Sequence, residues 1–201
     1  VRAMGAEPMV VIGGSADNNF TPAEAANMVK HFNGANKVTY WVIGNEPGNG
    51  GMSIGTYCNL FNSTVDAMKA VDASIKVAGP AWAYFDENNI KAFLQCAGSK
   101  VDIIDFHHYA MGEKYLSNAD TLNQTVNWEN EVTKTREFIQ QIVPARAANI
   151  AVQVGEYNWS WRAEDGYPGW NGDDRFFQSV NTVWAASVAG HIAKAGGRVA
   201  A

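Results

Sequence analysis

Short apolar runs alternate with helix-start signals along the whole chain, and this alternation limits the fold more than any other feature. The runs are Pro8 to Gly13, Val38 to Gly44, Lys76 to Ala78, Val101 to Tyr109 and Ile150 to Tyr157. Rich in Val and Ile and only a few residues long, they read as buried strands. The stretches between them carry helix starts. Thr21-Pro22-Ala23-Glu24 supplies an N-cap, a proline suited to the first helical position and a capping-box glutamate, for a helix to about Phe32. Ser53 caps a stretch with Leu60, Phe61, Val65, Met68 and Val71 on one face. Asp86 caps a helix to about Cys96. A long polar loop then precedes a helix from about Trp128 to Val143, and Asp173 caps the last, to about Ala195. Five strands alternating with five helices imply crossover connections and a parallel sheet in a single domain over 1–201.

Two parallel architectures compete. A doubly wound sheet carries a glycine-rich phosphate loop after its first strand. Gly13-Gly14-Ser15 follows a strand here but lacks the spacing of that loop, and a plain turn accounts for it. A (β/α)₈ barrel of TIM type instead places its chemistry at the C-terminal ends of several strands. Glu46, Trp82, His107, Tyr109 and Glu156 all fall at such ends. The fold class expected is therefore α/β, a parallel barrel of which five of eight βα units are present.

Net charge is −5 with no block of like charge, which argues against nucleic acid as a partner. No apolar run approaches the ~20 residues of a membrane span. The start Val1-Arg2-Ala3-Met4-Gly5 reads neither as a signal peptide nor as a natural beginning, so the sequence is expected to be a piece of a longer protein. Cys58 and Cys96 fall near a helix start and a helix end. Parallel helices would hold the two sulfurs at different heights, which argues against a bond while leaving the pairing open.

Two strand-end acids carry the chemistry. In each of Val42-Ile43-Gly44-Asn45-Glu46-Pro47 and Val152-Gln153-Val154-Gly155-Glu156-Tyr157 an apolar run stops at a glutamate, and strand alternation puts Glu46 on the face of Tyr40, Val42 and Gly44, and Glu156 on that of Val152 and Val154. Two carboxylates facing each other across a cleft are what acid-assisted cleavage of a glycosidic bond requires. Either acid alone also reads as a solvated loop residue. Asn45 offers amide donors and an acceptor beside Glu46. His107 and Tyr109 share a strand face with Asp105, which is expected to hydrogen-bond the imidazole, whereas His108 points the other way. A metal site is disfavoured, because no third ligand stands at suitable spacing beside the histidines. Trp82, Trp159, Trp161, Tyr167 and Trp170 gather after two strand ends. They read either as platforms for the apolar faces of sugars or as a loop core.

Gly44-Asn45-Glu46-Pro47, Gly79-Pro80, His107-x-Tyr109 and Gly155-Glu156-Tyr157 resemble, in order and spacing, clan A of the retaining glycoside hydrolases, which are (β/α)₈ barrels. Gly5-Ala6-Glu7-Pro8-Met9 and Tyr40-Trp41-x-x-Gly44-Asn45-Glu46 look most like the β-xylosidase-like and arabinofuranosidase-like branches. The resemblance runs from the family's third strand to the helix after its seventh. Strands one, two and eight have no counterpart. It implies that Glu46 is the acid/base, Glu156 the nucleophile and Asn45 the ligand of the sugar 2-hydroxyl, with Tyr109 and His107 supporting them. It also implies an oligosaccharide or polysaccharide of plant type as substrate, no cofactor and a secreted, extracellular enzyme. Trp82, Trp159 and Trp161 are expected to line the substrate cleft. The open sheet edges are expected to favour self-association.

Overall fold

The computed structural model describes residues 1–13, 19–34, 37–112, 116–161 and 174–199. Gly14, Ser15, Tyr167, Trp170 and Asp173, singled out above, lie outside them. Six strands form one sheet in chain order: β1 (Met9–Ile12), β2 (Tyr40–Ile43), β3 (Lys76–Trp82), β4 (Ile103–Met111), β5 (Ala151–Ser160) and β6 (Arg198–Val199). Every neighbouring pair is parallel, and the sheet curls into a half-barrel. The helices are α1 (Pro22–His31), α2 (Ile54–Val71), α3 (Glu87–Ala97), α4 (Asn118–Asn123), α5 (Val126–Ile142) and α6 (Ser179–Lys194). The parallel barrel architecture holds, with six strands in place of the five expected. The sixth is only Arg198–Val199, too short for a periodic signal, and it pairs in parallel with the free side of β5. Likewise α4 occupies part of the polar loop; it is a six-residue helix capped by Ser117.

Local chemistry sets the helix starts. The Thr21 hydroxyl accepts from the Glu24 amide while the Glu24 carboxylate accepts from the Thr21 amide, and Pro22 takes the first turn. Ser53 and Asp86 cap α2 and α3 through the amides of Thr56 and Asn89.

The two faces of the sheet have separate cores. Trp41, Ile43, Val77, Ile104, Phe106, Val152 and Val154 pack outward against helix side chains such as Val29, Phe61, Phe93, Val132 and Trp184. Val42, Ala78, Ala81 and Ile103 form a small inner core with Met9, Tyr40 and Ala151.

Cys58 and Cys96 form a disulfide, with Cα atoms 6.1 Å apart. The argument from helix heights fails because α2 runs well past the end of α3. Asn62, in mid-α2, reaches the carbonyl of Cys96, and Lys100 just beyond α3 pairs with Asp66. Cys96 is therefore level with the middle of α2, one turn from Cys58.

Candidate active site

Two bulges shape the C-terminal rim. Between β3 and β4 the register passes from Pro80↔Asp105 to Trp82↔Phe106, so Ala81 is the extra residue. Between β4 and β5 it passes from Phe106↔Val154 to His107↔Glu156, so Gly155 is the extra residue. A bulge reverses the alternation of the residues that follow it. Val152 and Val154 belong to the outer core, yet Glu156 lies with Gln153 on the inner cavity wall. The expectation that Glu156 shares the face of the two valines is thus corrected: Gly155 turns it inward. A methyl group on Gly155 would collide with the Asp105 carboxylate, so this position takes only glycine without rearrangement.

Glu46 arrives differently. β2 ends at Ile43, and Glu46 has φ 44 and ψ 50, a left-handed conformation uncommon outside glycine. Strand alternation does not carry to it. Its amide donates to the carbonyl of Ala81, the bulge residue, which is itself left-handed with φ 51. A single 3₁₀ turn, Pro47–Gly50, follows. Gly48 lies flat on the Trp82 indole, where a Cβ would come within 2.7 Å of the ring.

These distortions gather the acids. One oxygen of Glu46, one of Glu156 and a ring nitrogen of His107 all lie within 4.8 Å of one another. His107 Nδ1 is 2.8 Å from Glu46 Oε1 and 3.6 Å from Glu156 Oε2. The Tyr109 hydroxyl donates to Glu156 Oε2 at 2.8 Å, and Asn49 Nδ2 donates to Glu46 Oε2 at 2.8 Å. Burial opposes charge on His107, but its hydrogen bond to Glu46 and the charges of Asp105 and Glu156 outweigh that and raise its pKa. Burial, with the bond to Glu156, pushes the Tyr109 phenol well above its usual range, so it stays a donor. Asp105 is buried and pushed up to about 7, mainly by burial, with His107 and Gln153 opposing. Gln153 donates to it, as does the Gly155 amide. Asp105 thus does not hold His107 by a hydrogen bond as expected; Glu46 does.

The aromatic residues divide. Trp161 is exposed on the rim and lines a cavity with Glu46, Asn49 and Tyr84. Trp82 is buried, because the Ala81 bulge sends it outward beside Tyr57, where it supports the turn carrying Glu46. Trp159 is fully buried. β5 runs past Tyr157 to Ser160, which puts Trp159 on the outer face against Trp184. Both corrections have one cause, strand parity at the rim. Asn45 lines the cavities on both sides of the acids. Asn49, Tyr84 and Gln153, the partner of Asp105, are not anticipated in the site by the sequence. Asn49 sits in a glycine-rich turn and Tyr84 beyond a strand end, where no periodic signal exists.

As a donor set, Glu46, His107 and Glu156 fit a divalent cation, two oxygens and an imidazole nitrogen from three strand ends. The third ligand missing from the local spacing comes from distant strands. The same side chains are already hydrogen-bonded, Glu46 to His107 and Asn49 and Glu156 to Tyr109. The arrangement as it stands is a paired-carboxylate site.

Comparison with known proteins agrees with this architecture. Residues 20–174 match the model of glycosyl hydrolases family 39. No curated protein matches. Among solved structures, the α-L-arabinofuranosidase of Thermotoga maritima is 21% identical with a TM-score of 0.75, over 99% of this chain and 44% of that one. A GH51 arabinofuranosidase of Xanthomonas axonopodis pv. citri is 19% identical with a TM-score of 0.71, over 99% and 46%. A monomeric β-xylosidase of Caulobacter crescentus is 18% identical with a TM-score of 0.67, over 95% and 44%. The chain thus spans under half the length of these structures, whose likeness is one of fold. The resemblance to clan A glycoside hydrolases is borne out, and because the family match covers most of the sequence, the chain belongs to glycosyl hydrolases family 39.

Proposed function

We propose that the full-length protein is a retaining glycoside hydrolase that cleaves O-glycosidic bonds of plant-type oligosaccharide or polysaccharide. The observation that carries this reading is the approach of Glu46 and Glu156, remote in sequence, to within 4.8 Å. Carboxyl groups brought this near each other suit a retaining enzyme, in which the two stand about 5–5.5 Å apart. Glu156, ionised and oriented by the Tyr109 hydroxyl, attacks the anomeric carbon. Glu46 gives its proton to the glycosidic oxygen, and the leaving group departs as an alcohol. Glu46 then takes a proton from water, which attacks the same carbon and frees Glu156 from the ester. His107 and Asn49 hold Glu46 from two sides. Asn45 binds the 2-hydroxyl. No cofactor is required.

The test is Glu156→Ala in the full-length protein, with an aryl glycoside and added azide. Loss of about 10⁴-fold or more in kcat with azide restoring part of it is expected, the product being the azide of inverted configuration. Full activity in the variant would refute the assignment. A panel of aryl xyloside, arabinofuranoside, glucoside, galactoside and mannoside identifies the sugar; the names of the solved relatives put the two pentosides first. Sugar binding without turnover, unaffected by Glu46→Gln, would instead establish a carbohydrate-binding protein. Turnover abolished by chelators would favour the metal reading. Secretion is supported by the Cys58–Cys96 disulfide, since such bonds persist in oxidising compartments. Self-association of the 201-residue chain is supported by the outer edges of β1 and β6, and size-exclusion chromatography tests it.

A further inference from the structure

One carboxyl group beside the site takes no part in the steps above. Asp105, on β4, is 1% exposed. A carboxyl so buried is costly unless other groups bond to it. Two groups of the neighbouring strand do so: Gln153 Nε2 donates to Asp105 Oδ1 at 3.3 Å, and the Gly155 amide donates from the bulge. Asp105 faces Gln153 in the β4–β5 register, one pair before Phe106↔Val154 and two before His107↔Glu156.

Both carboxyl oxygens also fill the place of a side chain at position 155. A Cβ there would stand 2.4 Å from Oδ1 and 2.6 Å from Oδ2 of Asp105. Gly155 is the inserted residue of the bulge, and the insertion is what turns Glu156 inward. Paired without it, Glu156 would stand opposite His108 and share the outward face of Val152 and Val154. Tyr109 holds the Glu156 carboxylate directly. Asp105 reaches the residue before it, where the chain changes face.

We infer that Asp105 is a positioning residue for the nucleophile: its carboxyl, set in the side-chain place of Gly155 and accepting the amide of that residue, locks the bulge that aims Glu156 into the cleft. This rests on the hydrolase reading above and adds to it a residue that acts through the backbone and not on the sugar. Asp105 and Gly155 form one unit, a carboxyl on one strand fitted to an absent side chain on the next.

The test is kinetic and uses the full-length protein with the aryl glycoside that the panel identifies. Asp105→Ala and Asp105→Ser empty the place beside Gly155. Each is expected to lower kcat per folded molecule about 100-fold with KM within about twofold, since a misplacement of about 1 Å suffices for such a loss. Asp105→Asn keeps the shape and an acceptor oxygen and is expected to lose only about threefold. The decisive comparison is made in Glu156→Ala with azide, where the attacking group no longer hangs on the bulge. There Asp105→Ala is expected to change the azide-dependent rate by less than about twofold. An equal loss in both backgrounds, wild-type kcat in Asp105→Ala, or a loss in Asp105→Asn as large as that in alanine overturns the positioning role alone. Wild-type protein without turnover on the panel, or full activity of Glu156→Ala, overturns the hydrolase reading and the role of Asp105 with it.

Discussion

On the helix-covered face of the sheet, Val152 and Val154 alternate with Gln153 as an unbroken pleat demands, and the same holds for Ile104 and Phe106 around Asp105. At the C-terminal rim of those strands the rule stops holding. Ala81 and Gly155 each insert one residue, Ala81 and Glu46 take left-handed backbone, and side chains exchange faces. The Ala81 bulge takes Trp82 out of the cleft; the Gly155 bulge brings Glu156 into it. Regular pairing builds the scaffold, and local breaks in it aim the acids. Left-handed backbone at a non-glycine residue costs about 1–2 kcal/mol, a strain borne here where two carboxylates must meet.

The contrast can be broken from either side. The largest effect is expected in the regular region: Phe93, fully buried on α3 with its ring 4.9 Å from Phe61, should lose about 3–5 kcal/mol on replacement by alanine. Urea unfolding measures this, and activity per folded molecule should be unchanged; a selective loss of kcat would tie the helix layer to the chemistry. Next comes Gly155→Ala. Its methyl must displace the Asp105 carboxylate, which should cost about 1–3 kcal/mol. Unlike Phe93→Ala, it should also lower kcat, because Glu156 follows the bulge. Equal stability and activity to wild type would mean the bulge does not set the acid.

The last effect is confined to a pH window. Asp105 titrates at about 7 in the folded protein, against about 3.9 for an unfolded carboxyl. A raised folded value means that the native state binds the extra proton between these limits. The contribution of Asp105 to stability is then complete below about pH 4 and lost as pH rises through 7. His107, also raised, acts in the same direction, its contribution complete below its unfolded value of about 6.5 and lost as pH rises through the folded one. Asp105→Asn should therefore flatten the decline in Tm between pH 4 and 7 relative to wild type. Parallel curves for the two proteins would show that Asp105 is not held as a buried neutral acid.

Much of this was legible in the residues. Thr21, Ser53 and Asp86 announced their helices because capping is a contact between neighbours in sequence. The strands of Val and Ile showed because burial on two faces selects such residues. Other features left no such trace. Arg198–Val199 is too short for any period, the level of Cys96 against Cys58 depends on how far α2 overruns α3, and an exposed tryptophan is spelled like a buried one.

What the chain determined by itself is the order of its elements, their parallel pairing and the presence of an acid at two strand ends, all of which follow from local propensity and hydrophobic pattern. Which way each rim side chain points was decided only in three dimensions. A parallel strand takes its register from the neighbour it pairs with, and one extra residue in that register, at Ala81 or at Gly155, reverses the face of everything after it.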